Sequence, residues 1–151
     1  MNEPIVAVAW DDCHRIGLDE IDREHEWIVN DFNTMINEFR TVTDRRLIEK
    51  IFDGFVNATV SHFAHEEASM IQYGFDDVET HRNSHALYCG HLARLRIKVY
   101  AGIDVTDALL DFFTSWTTIH ITKTDQKFGD FLKARKLTDP QVKILTATTT
   151  W

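Results

Sequence analysis

Proline is nearly absent: the 151 residues hold only Pro4 and Pro140, both near the ends. Nothing between them forbids helix, because proline is the residue that breaks an α-helix from within. Cysteine is as scarce, and Cys13 and Cys89 form no CxxC pair and no disulfide framework. That excludes a disulfide-stapled scaffold and points to a reducing cytosol. Positive charge is thin as well. Asp and Glu number 24 against 16 Lys and Arg, the net charge is −8, and the basic residues never gather into a block. Nucleic acid and anionic membrane surfaces both need a basic patch, so neither is an expected partner. No apolar run approaches a membrane span. The run from Ile5 to Trp10 follows an acidic start and is too short for the core of a signal peptide. The expected location is cytoplasmic.

What the chain does have is helical periodicity. With 44% apolar residues it can bury a core, and residues 1–151 read as one domain. Four long segments carry apolar residues at three- and four-residue spacing. The first spans about Asp19 to Arg40. The second opens at Thr43-Asp44, two good N-caps, and closes at Gly74, a C′ residue. The third follows Asp76-Asp77 and stops at Gly102, and the fourth begins near Asp104. A short helix over Gln126 to Ala134 is expected next, while residues 137–151 show no helical stripe. Joints of a few residues force antiparallel neighbours. The predicted fold is all-α: an antiparallel up-down-up-down four-helix bundle with an N-terminal arm and a short C-terminal helix.

The informative polar residues lie on the apolar stripes. His25, His62, Glu66, His81, His85 and His120 all face the expected core. One buried histidine is ordinary, but this many on four facing helices are costly unless they share a partner. A metal is such a partner. His62 and Glu66, like His81 and His85, are four apart, the spacing that stacks two side chains on one helix face. Asp125 lies five past His120, about 140° round an ideal helix, so the helix is expected to end or distort there. Five imidazoles and two carboxylates are too nitrogen-rich for calcium or magnesium and lack the thiolates of structural zinc. Seven ligands exceed one ion, and two ions bridged by carboxylates fit better. Counted that way, one of about a dozen octahedral positions stays open.

His25, His62-Phe63-x-x-Glu66-Glu67-x-x-Met70, His81-x-x-x-His85 and His120-x-x-x-x-Asp125 together resemble the hemerythrin signature. Upstream, Trp10 and Ile16-Gly17-x-x-x-Ile21-Asp22-x-x-His25 resemble the N-terminal segment of its bacterial members. The likeness covers roughly residues 10–132. It implies two iron ions with a bridging oxo or hydroxo group. His81, His85 and His120 would hold one iron, and His25 and His62 the other, which keeps the vacancy. Glu66 and Asp125 would bridge. The implied function is reversible dioxygen binding for storage, delivery or sensing, not catalysis, with any protein partner unidentified. The alternatives are a di-iron enzyme that removes peroxide or nitric oxide, and an iron-storage or repair protein.

Ile28, Phe63, Trp116 and Thr117 are core residues first and oxygen-pocket lining second. Family members usually carry a large apolar residue where Thr117 stands. A hydroxyl there is expected to donate a hydrogen bond toward bound oxygen and hasten autoxidation. Of the remaining residues, His14 and His91 read as surface, and Glu24, Glu26 and Glu79 as solvated. His65 reads as a boundary residue, Cys89 as a small buried hydrophobe, and Asp22 as a helix cap.

Overall fold

The computed structural model describes residues 3–135. The expected tail over 137–151 lies outside the described residues, and all that follows concerns 3–135. Four rods form the bundle: α1 (Asp19–Thr41), α2 (Arg45–Gln72), α3 (Val78–Tyr100) and α4 (Thr106–Ser115). The fourth does not stop at Ser115. It runs on through a π-helical segment (Trp116–Asp125) into α5 (Gln126–Ala134). The expected short helix over Gln126 to Ala134 is present, as the end of one continuous rod. No helix is long and apolar enough to cross a membrane.

The helix ends follow local chemistry. Asp44 caps α2 by accepting from the amides of Arg46 (3.0 Å) and Leu47 (3.4 Å). At the other end Gly74 adopts φ 72°, so the amide of Phe75 reaches the Met70 carbonyl at 2.9 Å. This is the glycine stop anticipated from the sequence. Gly102, at φ 75°, ends α3 in the same way, with the Ile103 amide on the Lys98 carbonyl at 2.9 Å.

Two apolar clusters fill the interior. One includes Ile28, Phe32, Phe55, Phe63, Phe113 and Trp116, with the Phe32 and Phe113 rings stacked at 3.7 Å. The other gathers Ile16, Leu18, Ile21, Met70, Tyr73, Phe75, Phe128 and Leu132. Along α1, His25 falls between Ile21 of one cluster and Ile28 of the other. Along the fourth rod, His120 and Asp125 fall between Trp116 and Phe128. The polar layer is thus sealed by apolar packing above and below.

The N-terminal arm lies along α1, held by two asparagines one turn apart. Asn37 accepts from the Ile5 amide and donates to the Ile5 carbonyl, both at 2.8 Å. Asn33 accepts from the Ala7 amide and donates to the Val8 carbonyl, again at 2.8 Å. Side-chain amides here pair with extended backbone as a neighbouring strand would. The arm delivers Trp10 to the polar layer. Asp22, expected to cap α1, instead accepts from the amides of Ile16 (2.8 Å) and Gly17 (3.1 Å). It pins the lead-in turn because Leu18, not a polar residue, occupies the N-cap position.

That turn touches α5 closely. A Cβ on Gly129 would meet the Ile16 carbonyl oxygen at 2.4 Å. Helix propensity alone favours alanine over glycine by about 1 kcal/mol, but backbone cannot yield as a flexible side chain can. Gly129→Ala is expected to destabilise by about 1–3 kcal/mol, lowering the melting temperature by roughly 5 °C. A thermal melt at or above the parent's would show that the lead-in turn is not fixed against α5.

Candidate metal centre

His25, His62, Glu66, His81, His85, His120 and Asp125 are each at most 3% exposed. They come from all four rods. His25 stands on α1, His62 and Glu66 on α2, His81 and His85 on α3, and the last two in the π segment. The four-residue pairs stack as their spacing requires. The five-residue pair meets because the backbone changes. Hydrogen bonding from i to i+5 widens the turn by about one residue, so residues five apart become neighbours on one face. His120 Nε2 then lies 2.9 Å from Asp125 Oδ1. The distortion anticipated from the spacing is a π-helix.

Threonines accompany the widening. The hydroxyls of Thr117, Thr118 and Thr122 donate to the carbonyls of Phe113 (2.9 Å), Thr114 (2.6 Å) and Thr118 (2.7 Å). Back-bonding of this kind supplies donors to carbonyls in a helix that departs from regular α geometry. Thr117 is fully buried beside Trp116, but its only hydroxyl proton is engaged by its own helix. Its side chain forms part of the wall beside the cluster.

The ligand-type atoms form two overlapping groups. Glu66, His81, His85, His120 and Asp125 bring one atom each within 4.8 Å of one another, and so do His25, His62 and Glu66. Glu66 belongs to both. Asp125 spans them as well, with Oδ2 3.2 Å from His25 Nε2 and Oδ1 3.0 Å from His81 Nε2. These contacts are short but poorly aligned for hydrogen bonding. Both nitrogens of His25, His62 Nε2, Glu66 Oε1 and both Asp125 oxygens are buried without a formed hydrogen bond. Such orphans are costly unless something else meets them. A second sign is the pair His85 Nε2 and His120 Nε2, 3.1 Å apart. Each ring carries its proton on the outer nitrogen, so two lone pairs point at each other. A cation relieves that repulsion. The residues fit a metal pair bridged by two carboxylates.

The electrostatics agree. Burial pushes Glu66 up, as does Asp125 beside it, yet the imidazoles of His81 (3.2 Å) and His85 (3.1 Å) hold its carboxyl well below the usual range. Asp125 is pushed up by burial and drawn down further by His120, His25 and His81. Burial lowers His81, but the carboxylates of Asp125 and Glu66 lift it to about 9. Burial and the neighbouring His25 hold His62 below its ordinary value.

Outer partners aim the imidazoles inward. His62 Nδ1 donates to Glu24 at 2.9 Å, His85 Nδ1 to Glu67 at 2.7 Å, and His120 Nδ1 to Ser84 Oγ at 3.1 Å. Fixing the outer N–H leaves each Nε2 lone pair for a metal. Glu24 was expected on a solvated face. It reaches across the α1–α2 seam instead, where it also accepts from His65 Nδ1 at 2.8 Å. His14 is a further correction. It is 7% exposed because Trp10 stacks on it at 5.1 Å. His91 is half-buried against Phe112. Cys89 packs half-buried against the core, as read.

Of the expected pocket residues, Trp116 stands edge-on to His25 (5.7 Å) and His62 (6.2 Å). Phe63 stacks on His85 at 4.0 Å. Ile28 shares a surface groove with Trp27, Ala58 and His62. The structure brings the seven ligand candidates together and sets these rings around them.

Comparison with known proteins agrees with this arrangement. A family model described as the hemerythrin HHE cation binding domain matches residues 16–132. A bacteriohemerythrin of Stenotrophomonas maltophilia is 32% identical over 130 residues, 86% of this chain and 84% of that protein. A myohemerythrin of Riftia pachyptila is 27% identical over 120 residues, 80% of this chain and 89% of that one. A crystal structure of a hemerythrin leucine-to-alanine mutant superposes with TM-score 0.75 at 26% identity, covering 83% of this chain and 97% of that chain. The sequence match spans the ligand-bearing part of all four rods, and the chain belongs to the hemerythrin family.

Proposed function

We propose that this protein is a binding protein for dioxygen, not an enzyme. It takes up oxygen reversibly at two iron ions joined by an oxo or hydroxo group. His81, His85 and His120 would hold one iron and His25 and His62 the other, with the carboxylates of Glu66 and Asp125 shared between them. The observation that carries this reading is the convergence of seven buried side chains from four rods, four of which (His25, His62, Glu66 and Asp125) hold nitrogen or oxygen atoms without a hydrogen-bond partner. An iron pair in such a site supplies the two electrons that reversible dioxygen binding requires.

The chain's own residues do the rest. Glu24, Glu67 and Ser84 orient the imidazoles. Trp116, edge-on to His25 and His62, excludes water from the side that oxygen occupies, Phe63 covers His85 on the other side, and a dry pocket slows protonation and loss of the bound oxygen as hydrogen peroxide. The groove lined by Arg23, Glu24, Trp27, Ile28, Ala58 and His62 opens on the His62 side of the cluster. The ligand set argues against a di-iron oxidase of the ferritin type, which draws four carboxylates from its helices. Among the described residues only Asp22, Glu66 and Asp125 are buried carboxylates, and Asp22 is engaged by backbone amides. Metal analysis of the purified protein is expected to give about two irons per chain. Zinc in their place, or a single iron at saturation, contradicts the proposal.

A further inference from the structure

We propose that Asp11, Cys13 and His14 form a second metal site, separate from the iron pair and suited to a divalent cation of zinc type. The three lie on one tight turn, Asp12–His14 with Asp11 as its N-cap. Their ligand atoms all fall within 4.8 Å of one another.

The turn prepares them. The Asp11 amide donates to His14 Nδ1 at 3.2 Å, so in the neutral ring Nδ1 is the nitrogen without a proton. Its lone pair therefore faces the turn, where Asp11 Oδ1 lies 3.2 Å away and Cys13 Sγ 3.8 Å away. Each atom now accepts from a backbone amide of the same turn, Nδ1 from Asp11 and the Asp11 oxygen from Cys13 at 2.9 Å, and an ion bound between them takes the place of these amides. The distances also suit one. Bonds of about 2.0 Å to nitrogen and oxygen and about 2.3 Å to sulfur, at tetrahedral angles, set those atoms roughly 3.3–3.6 Å apart. Arg15, next along the chain, pairs with Asp12 at 3.3 Å. Trp10 packs His14 into place, while Asp11 and Cys13 stay open to solvent. One nitrogen, one oxygen and one sulfur leave the fourth tetrahedral position to water.

Asp11 raises the Cys13 thiol, so the thiol is protonated before the ion arrives. Binding forms a metal–sulfur bond, breaks the S–H bond and releases one proton to buffer. No electron transfer is involved. Trp10 stacks on His14 on one side and leans against His25 at 6.3 Å on the other. An ion on the turn would therefore fix the ring that packs against the iron ligands.

The test uses the iron-loaded full chain under a non-thiol reductant, titrated with zinc chloride. We expect one zinc per chain in addition to the iron, release of about one proton per zinc, and protection of Cys13 from alkylation. Cys13→Ser and Asp11→Asn, both at exposed positions, should each weaken zinc binding roughly ten-fold or more. Cys89→Ser should bind as the parent does. Zinc uptake unaffected by the first two variants, uptake that follows Cys89, or zinc that only replaces iron would each overturn the proposal. None of these outcomes bears on oxygen binding at the iron pair.

Discussion

Replacing His85 by alanine is expected to strip iron from the protein, whereas His91→Ala should leave the iron content of the parent. The two histidines share one helix, and their surroundings differ in kind. His85 is 2% exposed, stacked on Phe63, with its outer nitrogen on Glu67 and its inner nitrogen among Glu66 and His120. Removing it deletes a ligand and leaves Glu67 paired with Arg82 alone, at 3.3 Å. Loss of an outer partner alone typically weakens metal binding by roughly 10–100-fold, and loss of the ligand itself should exceed that. His91 packs half-buried on Phe112, so its removal should cost about 1 kcal/mol of packing and no iron. Iron per chain after gel filtration in a mild chelator separates the two. Equal loss in both variants would mean that the ligand set is misassigned.

Removal of the metal is expected to make stability strongly pH-dependent. With ions present the inward nitrogens are occupied, and binding to the folded state alone contributes about 4 kcal/mol when free ion exceeds its dissociation constant a thousand-fold. Stripping the iron should lower the melting temperature by roughly 10 °C. The side chains then titrate. His81, lifted to about 9 in the fold, contributes stability that is complete below its unfolded value near 6.5. That contribution is lost as pH rises toward 9. His25 is shifted the same way by Asp125, which outweighs its burial. His62 is shifted down and destabilises the fold as pH falls below about 6.5. Glu66 and Asp125, held low, lose their contribution under stronger acid. The metal-free protein should therefore be most stable near pH 6.5. By pH 9 it should weaken by on the order of 3 kcal/mol, while the iron-loaded protein stays nearly flat between those values. Thermal melts of both forms across pH 5–9 test this. A metal-free protein whose stability rises from pH 6.5 to 9 would contradict the reading of the cluster.

The residues that made the bundle legible in sequence were those whose role follows from helical period alone. Apolar stripes, short joints and the stops at Gly74 and Gly102 gave the rods nearly to their ends. The same period put His25, His62, Glu66, His81, His85 and His120 on the inside. Asp125 broke the period, and the misfit itself was the signal, because only a wider turn could bring it beside His120. Roles that depend on reach across a seam were not legible. Glu24 sits one position from the inward stripe and reads as solvated, yet it meets His62 on the next helix. A histidine ligand needs a partner for its outer nitrogen, so an acid adjacent to a ligand stripe is the clue that could have found it. His14 was misread because its cover, Trp10, comes from an arm without regular structure. The Asn33 and Asn37 clasps carry no periodic signature, since asparagine on a helix face is usually solvated. Thr117 was read by what stands near it, when its hydroxyl answers to the π-helical backbone.

The central claim is that seven buried side chains hold an iron pair that takes up and releases oxygen. The most direct measurement is the near-ultraviolet and visible absorbance of the reduced, iron-loaded protein, followed through repeated cycles between air and an oxygen-free atmosphere. Bands that arise on exposure and disappear on deoxygenation over several cycles, with two irons retained per chain, are the predicted result. A spectrum that fails to respond to oxygen, or one that changes once and never returns without added reductant, would contradict it.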